Sequence, residues 1–339
     1  MKFGEVPIDQ ALGAILAHNH MGRDGHKKLG KGRVLTEKDL TILRDLDLQS
    51  VTVAQLDTTD LDENTAAQRV GNAITGQGLR ITTPGVGRAN IIATATGPLR
   101  VNVPALAQLN NIDPGITIAT QYEHTLVHDG ELVALVKIIP FGIPLARVRD
   151  VEAIAHDSAP ILALRPLRPS SVALIISGPP TARDRLTEAF HAPVRQRIEA
   201  LSSTLDSVTY TDHTPTAIAD VICDQVAKPH DLILITSVSA IIDDEDVVPT
   251  ALRRAGGNVA HFGTPVDPGS LLMLGYIDDV PVLGAPGCVR SLKTNVIDRV
   301  LPRLLAGERL TRADLVAMGH GGLLDDISDR PMPRHQEDS

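Results

Sequence analysis

The stretch Ser171-Val-Ala-Leu-Ile-Ile-Ser-Gly-Pro-Pro180 decides the fold class of this chain. It begins with an uninterrupted apolar run of strand length and ends in a Gly-Pro-Pro turn. Such a run is typical of a strand that is covered on both faces, as in a parallel sheet. A helical spacing of apolar residues follows from residue 183 to 201. The two together predict a strand and its crossover helix, the repeating unit of an α/β domain.

The same alternation continues toward the C-terminus. Further strands are predicted at 207–210, 231–235 and 258–262, and helices at 214–226 and 247–255. Thr214 is the expected N-cap of the first of these helices, because Pro215 fits the first helical position. A short apolar run at 280–283 precedes a helical segment over Leu292–Leu305. This order of elements predicts a largely parallel sheet.

The first half of the chain has a different pattern. Helices are predicted at Ile8–Ala17 and 62–75, and Thr36-Glu-Lys-Asp39 has the form of a capping box with Asp in place of Glu. Short β-rich segments follow between residues 78 and 139. We therefore expect a mixed α+β domain over 1–148, a connecting segment over 149–170, an α/β domain over 171–325 and a polar tail over 326–339.

Composition argues against several classes of protein. The formal net charge is −9, and the aromatic residues are three Tyr, four Phe and no Trp, which disfavours a nucleic-acid partner. Two cysteines provide neither a disulfide framework nor a metal-binding CxxC pair. No apolar run approaches the ~20 residues of a membrane span, and the N-terminus lacks a signal-peptide core. We expect a cytoplasmic protein with no membrane and no nucleic-acid partner.

Four loops at the carboxyl ends of the predicted strands form the candidate site, because ligands of open α/β sheets bind at that edge. These loops are Ser177–Pro180, Thr236–Asp246, Gly263–Ser270 and Gly284–Arg290. In the last loop, a Gly-Pro-Gly turn leads from a strand toward the helix expected at Leu292. Backbone N–H groups at such a helix start favour a phosphate or another anion.

Other side chains near these loops have two interpretations each. The acidic run Asp243-Asp-Glu-Asp246 either binds Mg²⁺ or the N–H groups of a ligand, or it caps the next helix. Cys288 lies at an expected helix start, where the pKa of a thiol can fall, although simple packing is favoured. Two histidines, His213 and His261, are interpreted as structural. Four cations either bind a phosphate or are surface charges: Arg183, Arg185, Arg290 and Lys293.

Read together, the C-terminal loops resemble the molybdopterin-binding family. The resemblance rests on Ile235-Thr-Ser-Val-Ser-Ala-Ile-Ile-Asp-Asp-Glu-Asp-Val-Val-Pro249, His261-Phe-Gly-Thr-Pro-Val-Asp-Pro-Gly269 and Gly284-Ala-Pro-Gly-Cys-Val-Arg-Ser291. Matching segments at 28–35, 87–90, 136–140 and 303–324 extend it over nearly the whole chain. The family includes molybdopterin adenylyltransferase and molybdopterin molybdotransferase. The segments are most similar to the molybdopterin-binding module often fused to a molybdenum cofactor cytidylyltransferase.

The resemblance implies a three-layer α/β sandwich with a mostly parallel sheet, preceded by the mixed α+β domain. It implies molybdopterin or molybdenum-molybdopterin as the ligand, with Mg²⁺ as a second component, and catalytic roles for Asp246 and Asp243. No dedicated metal ligands are assigned. The implied cofactor-binding residues are Ser177, Gly178, Thr236, Ser237, Ser239, Pro265, Asp267, Pro268, Gly269, Gly284, Pro286, Gly287, Cys288, Arg290 and Ser291.

Departures from the family pattern favour binding over catalysis. The adenylyltransferase has a loop richer in Gly, whereas Val238 and Ile241 interrupt the corresponding loop here. The molybdotransferase has Lys residues beside its Pro-Gly loop, where this chain has Asp267 and Ser270. Its later loop continues with Asn-Pro, where this chain has Cys288-Val. Loss of both lysines weakens a site for molybdate or a transferring phosphoryl group.

The function that the resemblance implies is therefore binding of molybdopterin in molybdenum cofactor biosynthesis or delivery. The alternative is a molybdotransferase-like enzyme that inserts molybdate into adenylylated molybdopterin with Mg²⁺. The implied partners are the pterin itself and a cytidylyltransferase or a molybdoenzyme. Related proteins self-associate, so a homo-oligomer is expected.

Overall fold

The computed structural model describes residues 1–324, and the polar tail expected over 326–339 lies outside the described residues. The chain divides into two compact units, the first over Met1–Arg165 and the second beginning at Pro166. Residues 149–165, which belong to the segment expected to connect two domains, are part of the first unit. Within residues 1–324, no helix combines the length and the apolar composition that crossing a membrane requires.

The first unit is built from short strands and helices. Its strands are β1 (Lys2–Pro7), β2 (Ile15–Leu16), β3 (His20–Met21), β4 (Lys27–Leu29), β5 (Ser50–Gln55), β6 (Asp60–Asp62), β7 (Leu79–Gly85), β8 (Arg88–Ala93), β9 (Gly97–Val101), β10 (Ile116–Thr120), β11 (Leu126–Val127), β12 (Leu132–Ile138), β13 (Gly142–Pro144) and β14 (Leu162–Leu164). Its helices are α1 (Glu37–Asp45), α2 (Glu63–Ile74), α3 (Val103–Asn110) and α4 (Leu145–Asp157).

Two separate hydrophobic cores stabilise this unit. The smaller one joins α1 to the antiparallel sheet β1-β5-β2 and includes Leu16 and Leu40. The larger one joins α2 to the antiparallel sheet β10-β12-β8-β7 and includes Val70, Ile91 and Val136. Helices and antiparallel strands thus mix in the first unit, in an α+β arrangement.

The prediction of a helix over Ile8–Ala17 is wrong. A single 3-10 turn forms over Ile8–Gln10, and β2 follows a few residues later. Gly13 lies between them with a φ of +74°, in the left-handed region where a helix ends. The capping box at Thr36 is confirmed, because its backbone N–H donates to Asp39 Oδ2 at 2.9 Å while the Thr36 side chain accepts from the start of α1.

The second unit alternates strands and helices. Its strands are β15 (Ser171–Ser177), β16 (Thr204–Thr211), β17 (Leu232–Ser237), β18 (Asn258–Phe262), β19 (Met273–Ile277) and β20 (Val280–Gly284). Its helices are α5 (Arg183–Ala200), α6 (Pro215–Val226), α7 (Val247–Arg254), α8 (Val296–Leu305) and α9 (Arg312–Ala317). As predicted, Thr214 caps α6, since its side chain accepts from the backbone N–H of Ala217.

These strands form one six-stranded sheet in the order β16-β15-β17-β20-β19-β18. The first four strands of that order are mutually parallel. Strand β19 runs in the opposite direction, because it forms a hairpin with β20, and β18 pairs antiparallel with β19. Strand β18 therefore runs in the same direction as the first four, and β19, which reverses the chain between them, was not predicted. The unit is α/β with a mixed sheet.

Both faces of the central strands are buried. One face contributes Ile175 and Ile233 to a core that also contains Ile222 of α6 and Leu252 of α7. Residues of the other face, such as Leu234, have no solvent exposure either. Helix α5 packs against β15 and β16. The apolar runs of the sequence thus correspond to strands covered on both faces, as predicted.

Helix α8 begins at Val296 rather than at the predicted Leu292. Asn295, which is buried, is its N-cap, and its side chain accepts from the Ile297 backbone N–H at 3.0 Å. Asp298 completes a capping box by accepting from the Asn295 backbone N–H at 2.8 Å. The cap that decides the start of the helix therefore lies three residues beyond the predicted start.

A buried guanidinium, that of Arg303, connects α8 to the following segment. It is 2% exposed and pairs with Glu308 at 2.9 Å and Asp314 at 2.8 Å. Burial alone would raise the pKa of Asp314, but hydrogen bonds from Thr311 and the charge of Arg303 lower it to about 2. A carboxylate with a lowered pKa stabilises the fold above its ordinary pKa.

We predict that the Asp314→Asn variant is less stable than the wild type at neutral pH, and that the difference shrinks in acid. The contribution of Asp314 is complete above its ordinary pKa of 3.8 and is lost as the pH falls toward about 2. Urea unfolding between pH 7 and pH 3 measures it. Asp224→Asn, at an exposed position of α6, is the control. A difference that does not change with pH would contradict the assignment.

Candidate functional site

The parallel strands of the second unit end at one edge of the sheet. Ser177, the last residue of β15, lies opposite Thr211 of β16 on one side and Ser237 of β17 on the other. Gly284 ends β20 at the same level, because it pairs with Ile235. The carboxyl ends of four strands therefore meet, which is where ligands of such sheets bind.

The antiparallel strands also contribute a loop to this edge. Phe262 at the end of β18 lies opposite Met273 at the start of β19, and Met273 lies opposite Gly284. The loop over 263–272 therefore emerges beside the Gly284 turn. All four loops predicted from the sequence lie at one edge, because β18 runs in the same direction as β20 and also ends there.

Three polar side chains form a hydrogen-bond chain at this edge. The Ser177 hydroxyl lies 3.1 Å from Oγ of Ser237 and 3.0 Å from Nδ1 of His213. Ser177 is fully buried, whereas Ser237 and His213 are each partly exposed. A ligand at the edge can therefore touch Ser237 and His213, and Ser177 acts from beneath them.

Sequence reasoning missed His213 as a site residue. Burial lowers the pKa of His213 below its ordinary value, and the charge of Asp246 opposes that shift. A neutral imidazole with both a donor and an acceptor nitrogen is therefore the form expected at neutral pH. The signal was present, because His213 follows the predicted strand at 207–210, and the loop after that strand was omitted from the candidate set.

The acidic run is largely engaged in local structure. Asp246 is the N-cap of α7: its Oδ1 accepts from the Val247 backbone N–H at 2.7 Å and its Oδ2 from that of Ile242 at 3.0 Å. Asp243 is exposed and accepts from the Glu245 backbone N–H at 2.8 Å. One carboxylate oxygen of Asp246 thus caps α7, and the other accepts from the loop that precedes the helix.

Asp244 is ion-paired with Arg253 at the other end of α7. Within residues 1–324, no group of three or more His, Cys, Asp and Glu side chains is arranged to hold a metal ion. The side chains of the run therefore stabilise α7 and its preceding loop, in line with the capping interpretation.

The Gly284 turn leads into a short 3-10 turn over Gly287–Arg290, not into the expected α-helix. Gly284 is required sterically, because a Cβ there would lie 2.5 Å from Ile241 Cδ1 and 3.0 Å from Met273 Cβ. Of the two interpretations of Cys288, packing agrees better with the structure. Burial raises the pKa of the Cys288 thiol, and the neighbouring charge of Asp267 raises it further.

A buried arginine that the sequence analysis did not single out holds this turn in place. Arg197 of α5, which is 8% exposed, donates to the carbonyl oxygens of Val289 at 3.1 Å, Ser291 at 2.6 Å and Lys293 at 3.0 Å. Its Nε donates to Asp298 at 2.8 Å. Arg197 thus ties the segment between the Gly284 turn and α8 to helix α5.

The loop over 263–272 is held by backbone contacts with its surroundings. Asp267 exchanges hydrogen bonds with the chain near residue 323, because its N–H donates to the Gly322 carbonyl oxygen and its own carbonyl accepts from Leu324. The Pro268 carbonyl accepts from the Val296 N–H at 3.0 Å. Gly269 has a φ of +128°, and a Cβ there would lie 2.3 Å from Val296 Cγ1. The loop over 263–272 is therefore held against the start of α8.

Two arginines flank the edge on the α5 side. The Arg183 guanidinium lies over the Tyr210 ring at 5.0 Å, and the Tyr210 hydroxyl donates to the Pro179 carbonyl oxygen at 2.7 Å. Arg290 lies 5.7 Å from the Phe190 ring and donates to the carbonyl oxygen of its own turn at Gly287. Arg183 therefore lies beside the Ser177–Pro180 loop, and Arg290 lies in the Gly284 turn; each guanidinium packs on an aromatic ring.

The remaining predicted residues have varied positions. Gly178 follows β15, and a Cβ there would lie 2.6 Å from Leu186 Cδ1 and 2.7 Å from the Tyr210 hydroxyl. The Thr236 side chain is fully buried and donates to the Ile175 carbonyl oxygen at 3.4 Å, so a ligand at the edge would not reach it. Ser239 is exposed in the loop after β17. Pro265 lies in the loop over 263–272, and Pro286 lies in the Gly284 turn.

Comparison with known proteins gives distant similarities only. No family model and no curated protein match the chain. It is similar to the structure of a molybdenum cofactor biosynthesis protein from Pyrococcus furiosus, with 14% identity, 93% of this chain and 65% of that chain covered, and a TM-score of 0.25. It is also similar to a molybdenum cofactor biosynthesis protein B, with 13% identity, 41% of this chain and 94% of that chain covered, and a TM-score of 0.31. A molybdopterin biosynthesis MoeA protein from Pyrococcus horikoshii OT3 is similar with 12% identity, 76% of this chain and 79% of that chain covered, and a TM-score of 0.27.

We predict that replacing Arg197 loosens the segment between the Gly284 turn and α8 and destabilises the second unit. Arg197→Met leaves Asp298 and three backbone carbonyl oxygens without this donor, which costs about 3–5 kcal/mol. Arg195→Met is the matched control on the same helix, because Arg195 is exposed and pairs only with Glu199 among the contacts shown. Urea unfolding of both variants measures the difference. Equal stability of the two variants would show that Arg197 does not hold the loop.

Proposed function

We propose that the carboxyl edge of the six-stranded sheet binds molybdopterin or molybdenum-molybdopterin, and that the chain acts in molybdenum cofactor biosynthesis or delivery. The proposal includes the three-layer molybdopterin-binding fold for the second unit. The observation that carries it is the meeting of the Ser177–Ser237–His213 chain with the Gly284 turn and the Asp267 loop at one edge. These are the loops on which the family resemblance rests.

The donor set at this edge suits the phosphate of the ligand. Hydroxyl and imidazole groups of Ser237 and His213 donate hydrogen bonds, and phosphate oxygens accept them. Arg183, held over Tyr210 beside the end of β16, adds positive charge on the same side. Because arginine pairs well with phosphate, the β15–β17 side of the edge is our proposed phosphate subsite.

The loops on the other side suit the pterin ring, which carries amino and ring N–H donors. The charge of Asp267 acts on Cys288, so the loop over 263–272 and the Gly284 turn lie close together. Carboxylate and backbone carbonyl oxygens there can accept hydrogen bonds from the ring. Gly284 and Gly269 keep the backbone accessible at positions where a side chain would clash. We propose Asp267 with Pro286, Gly287 and Cys288 as the pterin subsite.

We propose binding rather than molybdate insertion, and the arrangement of the acidic side chains supports this choice. A transferase of this kind needs Mg²⁺ on site acids, and the acids present do not fit that ion. Asp246 uses both carboxylate oxygens to accept backbone N–H groups, and Asp244 pairs with Arg253. Hard cations require several free oxygen ligands. We therefore derive no catalytic step through Mg²⁺, and we propose that the chain holds the pterin without transforming it.

We predict that the purified protein retains molybdopterin and that Ser237→Ala weakens retention by about ten- to a hundredfold, since a hydrogen bond to a charged group contributes ~1.5–3 kcal/mol. Ser207→Ala is the control, because Ser207 of β16 lies opposite Ala173 of β15, four residues before Thr211 at the edge. Gel filtration followed by fluorescence of the released pterin measures retention. Equal retention by the two variants would exclude Ser237 as a contact.

One incubation separates binding from transfer. The protein is mixed with adenylylated molybdopterin, molybdate and Mg²⁺, and AMP is measured. Binding alone predicts retained pterin and no AMP above the level of a protein-free control. Mg²⁺-dependent AMP release would establish the molybdotransferase alternative. Failure to retain either form of the pterin would refute both functions.

A further inference from the structure

We propose that His213 is a positioning residue, which sets the direction of the Ser177–Ser237 hydrogen bonds so that the edge accepts the phosphate group of its ligand when His213 Nδ1 carries a proton. This inference rests on the proposed function and adds the group that selects for phosphate. It is carried by the order of the three side chains and by their burial.

The order of the chain leaves two arrangements of protons. Each serine hydroxyl has one hydrogen to donate. When Nδ1 of His213 lacks a proton, Ser177 donates to it across 3.0 Å, and Ser237 must then be the donor across 3.1 Å, opposite to the Ser177-to-Ser237 direction in the structure. Ser237 then turns only lone pairs toward a ligand. When Nδ1 carries a proton, both bonds reverse, and the hydrogen of Ser237 is released to donate outward.

The burial of Ser177 couples the two ends of the chain. Ser177 has no solvent exposure, so water cannot supply an alternative partner for its hydroxyl without opening the site. A change at His213 Nδ1 is therefore passed to Ser237 through a single hydroxyl. Because phosphate oxygens without a proton only accept hydrogen bonds, they select the arrangement in which Ser237 donates outward.

The charges around His213 leave its protonation adjustable. Burial lowers the pKa of His213, and Asp246 at the start of α7 opposes that effect. Asp212 precedes it in the same loop, and Arg183 and Arg185 of α5 act on Tyr210 at the end of the preceding strand. When the neutral imidazole carries its proton on Nε2, a bound phosphate favours uptake of a second proton at Nδ1, so binding and protonation of His213 strengthen each other.

The test compares metal-free molybdopterin with the same pterin after phosphatase treatment. For the wild type we expect tighter binding of the phosphorylated form, with affinity decreasing about tenfold as the pH rises through the pKa of His213, which burial lowers below its ordinary value. His213→Ala should lose about tenfold in affinity for the phosphorylated form at pH 6 and bind the treated form like the wild type.

His213→Asn provides the readout that a merely structural role would not change. Its amide nitrogen can take the place of Nδ1 and donate to Ser177, but it does not titrate. We expect affinity for the phosphorylated form near that of the wild type at low pH and a smaller dependence on pH. Nitrogen-15 NMR of the imidazole should show Nδ1 protonated in the complex, and thermal unfolding checks that both variants are folded.

The outcomes separate this proposal from the one on which it rests. If the wild type and His213→Ala bind both forms equally at every pH, the positioning role is refuted while pterin binding stands. An imidazole with Nδ1 unprotonated in the complex refutes it as well. If the wild type binds neither form, the proposed function fails, and the role of His213 fails with it.

Discussion

Burial of both faces of β15 and β17 is the constraint on which the second unit depends. Leu174, Ile175 and Leu234 have almost no solvent exposure, so these strands offer no polar surface along their length. Polar chemistry is confined to the strand ends, and the parallel register brings those ends together. A slip of one residue would exchange the two faces and separate Ser177 from Ser237. The same packing that stabilises the sheet therefore decides where a site can exist.

Sequence alone predicts the strands and helices whose signals are local. The apolar run at Ser171 and the Thr214-Pro pair are such signals, and both predictions hold in the structure. The β19–β20 hairpin lacked one. Its two-residue turn is Asp278-Asp279, and Asp278 has a φ of +49°, whereas hairpins of this length are usually marked by Asn-Gly or Asp-Gly. Without that mark, β19 was not predicted.

The site was predictable where it depends on strand ends and not where it depends on tertiary contacts. Ser177 and Ser237 follow from the rule that ligands bind at the carboxyl edge. His213 required knowing that β16 reaches Thr211 and pairs there with Ser177. Arg197 lies in a helix beside Arg195 and looks like a second surface charge, yet it is buried by the loop that it binds. Local sequence carries no record of that contact.

The expected origin of anion binding also changes. The sequence suggested a helix dipole after the Gly284 turn, but the N–H groups at the start of α8 are bonded to Pro268 and Asn295 within the protein. Carbonyl oxygens of the intervening loop are turned inward to Arg197. In the function that we propose, affinity for an anion comes from side chains such as Ser237 and Arg183. A dipole favours anions at any pH, whereas a hydroxyl chain ending in an imidazole favours them only when its protons are suitably placed.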